Sequence, residues 1–350
     1  MSPSATLRSR RVAVELDAKG FNDAIDDLGW GDGLPCIPPS EDLVRSYLDA
    51  VDRPADEVLA RLAPSGAACT VEAVAVNAVL AGAPAAAMPL LCATVQAVAA
   101  PEFNLAGVNA TTASVSPAVF VNGPMRHELG IPFGPSCFGG MRSSAPSIGR
   151  ALRFVMRHVA GQVAGLTSES VFGQPARVVG LVAGEWEEES PWPPLAERRG
   201  VAGDAVTVFG ALGTANIIDT IGERGDDLLQ IIGNSIGFMG APGYLAATVF
   251  SEIAVAINPV WASIIARDVG NIDDVRHLLW EHAALPIDWF PKRNQPGIEE
   301  LGRVGGDRRV HVVASPDDLL VLVCGGFGSL HSIMLHGFSH TLAVTVPVRR

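Results

Sequence analysis

The chain has 350 residues, 48 % of them apolar and 18 % charged, with a formal charge of −12. That length supports one large core or two domains, and the lack of any dense run of Lys or Arg argues against a nucleic-acid surface. Five cysteines (Cys36, Cys69, Cys92, Cys137, Cys324) show no CxxC spacing and no apolar stretch follows the opening MSPSATLRSRR, so free thiols in a cytoplasmic protein without a secretory signal are expected.

Residues 1–20 read as an arm, with an edge strand over Val12–Leu16. GWGDGLPCIPPSEDLV leads into a helix capped by Ser40, whose apolar stripe is Leu43, Val44, Tyr47, Leu48 and Val51. Pro54–Leu62 reads as a second short helix with Pro in its first turn. Thr70 then caps an apolar helix starting at Val71, and a partner helix covers Met88–Ala99. Glu72, Asn77 and Gln96, with Pro84 and Pro89 between, make these two buried helices rather than a membrane span.

PAVFVNGP is a short apolar run bounded by Pro and Gly, which predicts a buried strand. A helix from Ser144 or Ser147 to about Ala160 follows, then strands in ARVVGLVAG and DAVTVFGALGTAN. A helix over Asp226–Phe238, a strand in EIAVAINP and two amphipathic helices come next. After an irregular stretch, Pro286–Asp307, the runs HVVAS, LLVLVCGGFG and HTLAVTVPV return to strand. Helices alternating with buried strands predict a mixed α/β fold, with residues 1–100 as an arm and helical region and 101–350 as the α/β core, one continuous domain being the alternative. No exact repeat is visible, but several strands end in Gly plus a polar side chain. In open α/β sheets ligands gather beyond such ends, so Asn122, Glu185, Asn216 and His331 are expected in one crevice.

Four constellations carry candidate chemistry. Cys137 lies in FGPSCFGGMRSS, where backbone N–H groups and Arg142 favour a thiolate; a packed structural cysteine is the plain alternative. Asn109, Thr111 and Thr112 of the NATT tetrad, with Asn122 of NGP, offer amides and hydroxyls to orient a substrate, or simply make turns. Glu185 opens an acidic run with Glu187, Glu188 and Glu189, a source of an acid–base carboxylate or a solvated loop. Cys324, His331, His336 and His340 are competent metal ligands, but their spacing is no established zinc pattern, and His331 as an acid–base or substrate-binding residue is preferred. GGFG and GALGTAN lack the phosphate-cradling patterns, so no nucleotide cofactor is expected. GxSxG and HExxH are absent too.

The stretches GWGDGLPCIPPSEDLV, PSGAACTVEAVAVNAVLAG, EFNLAGVNATT…VNGP, CFGG…SIGRALR, EEESPWPPL and IIARDVGNIDDVRHLLWEHAALP span nearly the whole chain. In them the chain resembles a poorly characterised bacterial family associated with UGSC-motif selenoproteins and thiol–disulfide proteins. The resemblance implies a shared soluble fold and no assigned reaction, and this chain lacks the UGSC motif itself. It also departs at Cys36, where the family tends to have valine, and at GGFGSLHS, where Leu330 replaces the lysine of a GGxGKHS-like end.

The residues together predict a cofactor-free enzyme acting on a small polar molecule at a carbon–heteroatom bond, by acid–base or thiol-assisted lyase or hydrolase chemistry. Cys137, Glu185 and His331 are its expected catalytic groups, and Asn109, Thr111, Thr112, Asn122, Arg142 and Asn216 its substrate contacts. Alternatives are a non-catalytic subunit docking a thiol or selenol redox partner, and a Cys/His enzyme with a divalent transition metal. The apolar, weakly charged composition predicts a homo-oligomer, with no membrane partner.

Overall fold

The computed structural model describes residues 6–14 and 17–350. The strand expected over Val12–Leu16 is not formed at residues 12–14, and Glu15 and Leu16 lie outside the described residues. The chain starts with α1 (Ala18–Asp27), capped by Asp17 and not foreseen, and α2 (Glu41–Leu48), capped by Ser40 as expected. The second short helix is a correction. Val58–Leu62 is strand β1, paired antiparallel with β2 (Ala67–Thr70). The intervening Ala63-Pro64-Ser65-Gly66 makes a turn, with Gly66 at φ +70°, so local turn chemistry outweighs a helical reading of so short a run.

Helices α3 (Val71–Ala81), capped by Thr70, and α4 (Met88–Ala99) follow as the sequence predicts, then α5 (Leu105–Ala110), β3 (Ser116–Asn122) and α6 (Met125–Glu128). Next are α7 (Ala145–His158), α8 (Ala176–Val179), β4 (Leu181–Gly184) and α9 (Leu195–Arg198). The ARVVGLVAG run is thus strand only in its second half. Gly180 takes φ +68°, and a Cβ on Gly149 would lie 2.4 Å from Val179 O, so close approach of α7 bends the chain there.

The second half runs β5 (Ala205–Ala211), β6 (Ala215–Ile218), α10 (Gly225–Ile236), β7 (Ile253–Ile257), α11 (Pro259–Asp268) and α12 (Ile272–His282). It continues through β8 (Ala284–Pro286), α13 (Gln295–Glu300), β9 (Arg309–His311) and β10 (Leu319–Val323) to β11 (His331–His336) and β12 (Val344–Pro347). β11, which carries two of the four proposed metal ligands, was not foreseen as a strand.

Two four-stranded sheets form the centre, in the orders β12-β5-β3-β4 and β10-β7-β11-β6. Each holds one parallel pair, β3 with β4 and β7 with β10, and an antiparallel neighbour, β5 or β11. The fourth strand of each comes from the other half of the chain: β6 directly follows β5 yet pairs with β11, and β12 follows β11 yet pairs with β5. The molecule is therefore a duplicated unit whose halves exchange their last strands. In sequence the repeat echoes only in short strand segments, Ala118-Val119-Phe120-Val121-Asn122 against Ala254-Val255-Ala256-Ile257-Asn258, too short a match to disclose it.

Strand alternation builds the layers. Val119, Val121, Val206 and Val208 face the first helical layer with α3, α4 and α7, in a core that also holds residues of the N-terminal region. Val255, Ile257, Val321 and Val323 face α10, α11 and α12. The alternate residues Ala118, Phe120, Ala183, Phe209, Ala254, Ala256, Leu320 and Leu322 meet between the two sheets. The result is a mixed α/β fold of four layers, helices outside and two sheets face to face. Among the described residues no single helix is long and apolar enough to cross a membrane.

Candidate functional site

The carboxyl ends of both parallel pairs lie at the same end of the sandwich. Glu185 N donates to Val121 O at 3.2 Å, and Cys324 N donates to Ile257 O at 3.1 Å. Asn122 ends β3 and Asn258 follows β7 at matching places, so Glu185 and Cys324 are counterparts in the repeated topology. Trp186 N donates to Val323 O at 2.7 Å and Gly325 N to Phe133 O at 2.8 Å, which ties the two ends together.

Between them lies a cavity of about 320 Å³ lined by Cys137, Cys324, Asn216, Asn258, His331 and Ser332, with the backbone of Gly325 and Gly326. Cys137 is set there by a tight turn: its N–H bonds Gly134 O at 3.2 Å, and Ser136 adopts φ +62° to present it. Cys137 and Cys324 are each 3 % exposed. The Cys324 thiol is the largest influence on Cys137 and draws its pKa below the ordinary thiol value; burial opposes this, and the N–H groups of Phe138 and Gly325 assist. Cys324 moves well above its ordinary value, because of Cys137 first, then burial and the nearby Glu185. The two thiols therefore titrate as a pair, with Cys137 the more acidic member. The contrast with the other thiols is plain: burial pushes Cys69 to about 12 and Cys92 to about 11. All five cysteines are free.

Asn258 is held at both ends of its amide. Its Oδ1 accepts Trp261 N–H at 2.9 Å, capping α11, and its Nδ2 donates to His331 O at 2.6 Å. His331 and Asn216 lie on paired strands, His331 opposite Ile218 and Asn216 opposite Ile333, so both project toward the mouth of the cavity. Ser332 Oγ donates to Ala256 O at 2.8 Å.

On the first sheet the matching place is closed. Asn122 Nδ2 donates to Glu185 Oε2 at 2.8 Å and Glu187 Oε1 at 2.9 Å, and Leu195 N–H adds a bond to Glu185 at 2.7 Å. Glu185 is 1 % exposed, and burial raises its pKa against those hydrogen bonds. Arg126 pairs with Glu187 at 3.0 Å and Glu188 at 2.9 Å. Burial alone would raise Glu188, but the Arg126 and His127 contacts outweigh it and hold the carboxyl at about 2. Of the acidic run, Glu185 faces inward, Glu187 and Glu188 are structural partners, and Glu189 is exposed.

The structure therefore joins Cys137, Asn216 and His331 in one cavity and places Glu185 behind Cys324. Asn122 stands in the closed network rather than in the cavity. The tetrad does not join them. Asn109 Nδ2 donates to Ala63 O at 2.7 Å, Thr111 Oγ1 accepts Ala113 N–H at 3.0 Å, and Thr112 O accepts Val171 N–H at 2.9 Å. These three precede β3, a strand roughly 20 Å long that carries the chain from them to Asn122. Flanking a strand in sequence means standing at its opposite ends. Arg142 is exposed, at φ +59°, and does not line the cavity.

Two residues escaped the sequence reading. Its spacing groups Cys324 with the histidines as a metal ligand, and nothing in the sequence singles out Asn258 except INP after an apolar run, which matches NGP. His336 packs edge-on to Phe238 and His340 edge-on to Phe250, both turned to apolar neighbours rather than to His331. Among the described residues no group of three or more His, Cys, Asp or Glu is arranged to hold a metal ion. No protein-family model matches the chain, and no curated protein matches it in sequence.

Proposed function

We propose that the chain is an enzyme that acts on a small polar molecule in the Cys137–Cys324 cavity, by thiol-assisted hydrolysis at a carbon–heteroatom bond. The observation that carries this reading is that two buried free thiols, Cys137 and Cys324, stand together in the wall of one cavity, with Cys137 drawn down and Cys324 pushed up in acidity by their contact. Cys137 Sγ attacks the electrophilic carbon, and the carbon–heteroatom bond breaks as the leaving group takes the Cys324 proton. Water then attacks the resulting carbon–sulfur bond, gives a proton to Cys324 and releases the Cys137 thiolate, so that substrate and water balance the two products. Among the described residues no Lys, Arg, Asp or Glu lines the cavity, which favours a substrate without a net negative charge beside the thiolate. Asn216 and His331 are the groups placed to orient it. Five free thiols support a reducing, cytoplasmic setting, and the exposed Phe238, Met239, Leu245, Val249 and Phe250 support a homo-oligomer.

Alkylation by iodoacetamide across pH, read by intact mass and peptide mapping, tests the thiol assignment. Cys137 is expected to react fastest and at pH below the ordinary thiol value. Cys324→Ala, which removes the donor, should move that profile upward, and Cys137→Ser should abolish the fast phase. An unreactive Cys137, or one that titrates like a free thiol in both proteins, overturns the reading. Adjacency of the two sulfurs also favours a second reading, a dithiol that exchanges with a partner's disulfide. In that case glutathione disulfide would remove two hydrogens per chain and leave Cys137 joined to Cys324.

A further inference from the structure

Away from the thiol cavity, three donor side chains meet where α7 lies against the segment leading to β4. Arg153 is 8 % exposed; its Nε donates to Arg177 O at 2.9 Å, its Nη1 to Met156 Sδ at 3.0 Å and its Nη2 to Gln162 Oε1. That last contact fixes the Gln162 amide with oxygen toward the guanidinium and leaves its buried Nε2 without an acceptor. Arg177 gives Nη2 to Ser168 Oγ at 2.6 Å and Nη1 to Ala113 O at 3.4 Å.

Every acceptor in this set is neutral, and one is a thioether. Buried cations ordinarily have a carboxylate or equivalent partner, since an unpaired one loses its hydration without return. Among the described residues no carboxylate is found among the charges acting on either arginine. Burial, then repulsion from Arg177, pushes Arg153 down to about 9. Two like charges and an orphaned amide donor therefore form a local surplus of donors. The cluster adjoins a groove of about 840 Å³ bordered by Arg177, Ser168, Ser170 and Gln174. Glu169 borders the groove as well, is exposed, and forms no ion pair with the arginines.

We propose that this cluster is a binding site for a tetrahedral oxyanion, a phosphate or sulfate group, received by Arg177 at the groove with Arg153 and Gln162 behind it. A planar guanidinium fork suits two oxygens of such a group, and hydroxyls at Ser168 and Ser170 can donate to a third. The groove exceeds the volume of the bare ion, so the group can belong to a larger molecule.

The test uses the full chain and follows thermal unfolding and calorimetric binding with inorganic phosphate, at ionic strength held constant with sodium chloride. Phosphate should raise the midpoint saturably, and Arg177→Ala should weaken binding about tenfold, the worth of a charge-assisted hydrogen bond. Gln162→Leu should weaken it less, and Arg177→Lys, which keeps charge but loses the fork, should fall between wild type and Arg177→Ala. Cys137→Ser should bind phosphate as wild type does, which separates this site from the thiol cavity. Glycerol phosphate is the second arm: tighter binding than inorganic phosphate identifies a phosphomonoester, and equal binding identifies the free ion. Absence of saturable binding by either probe, or equal binding by wild type and both Arg177 variants, overturns the site.

Discussion

The two ends that meet at the site occupy the same backbone positions and have opposite fates. At the ends of β3 and β4 stand Asn122 and Glu185, bound to each other and closed over by Glu187 and Leu195. After β7 and β10 stand Asn258 and Cys324, open to a cavity. Strand register explains part of the difference. Phe120 pairs with Ala183 in the first sheet, whereas Ala256 pairs with Leu322 at the matching place in the second. Phe120 fills its share of the inter-sheet layer, and Ala256 borders the cavity. The repeated topology thus presents two equivalent strand ends, and side-chain volume leaves space at one of them.

Exchanging those two volumes is the strongest way to break the comparison. Phe120 is fully buried, and Phe120→Ala should destabilise the fold by about 3–5 kcal/mol, measured by denaturant unfolding. Ala256→Phe should cost about 1–3 kcal/mol through overpacking and slow alkylation of Cys137 by closing the cavity. If Ala256→Phe leaves alkylation unchanged, the volume account of the open end fails.

The opposite ends of the same strands offer a second contrast, in charge. Ser116 begins β3 and donates to Ala176 O at 2.8 Å, while Glu252, at the matching place before β7, is a carboxyl. Burial pushes Glu252 up to about 7, against the N–H of Ala343 and the nearby Arg199. A raised carboxyl favours the protonated folded state, so its contribution is complete below the unfolded value. It is lost as pH rises through about 7. Between those limits the loss should be about 3 kcal/mol, and Glu252→Gln, which does not titrate, should flatten the stability profile there. An unchanged profile in that variant would place the titration elsewhere.

Legibility in the sequence followed the range of the interactions involved. Caps at Ser40 and Thr70 and the buried strands at Phe120 and Val255 depend on near neighbours, so patterning located them. Cys137 and His331 were marked by glycine-rich context and do share a cavity. The partner of Cys137 was not legible, because Cys324 reaches it only through the parallel pairing of β7 with β10. The NATT tetrad was misplaced for the converse reason: closeness along a chain says nothing about which end of an extended strand a residue occupies. Exchange of β6 and β12 between sheets was equally hidden, since both strands lie beside other partners in sequence.

The smallest expected effect compares the two asparagines directly. Asn122→Ala removes donors from Glu185 and Glu187 and should cost about 1–3 kcal/mol, as for hydrogen bonds to charged or buried acceptors. Asn258→Ala removes the cap on α11 and should cost about 1 kcal/mol. Asn258→Asp separates structure from chemistry, because aspartate caps a helix as well as asparagine does but cannot donate to His331 O. Aspartate restores the cap but sets its other oxygen against His331 O, so stability should recover only part of what the alanine variant loses. The new carboxylate would nevertheless line the thiol cavity, where its charge opposes a Cys137 thiolate, so the alkylation profile should move to higher pH. Recovery of stability with an unshifted profile would mean that Asn258 serves the fold alone, and that the open end differs from the closed one in volume but not in electrostatics.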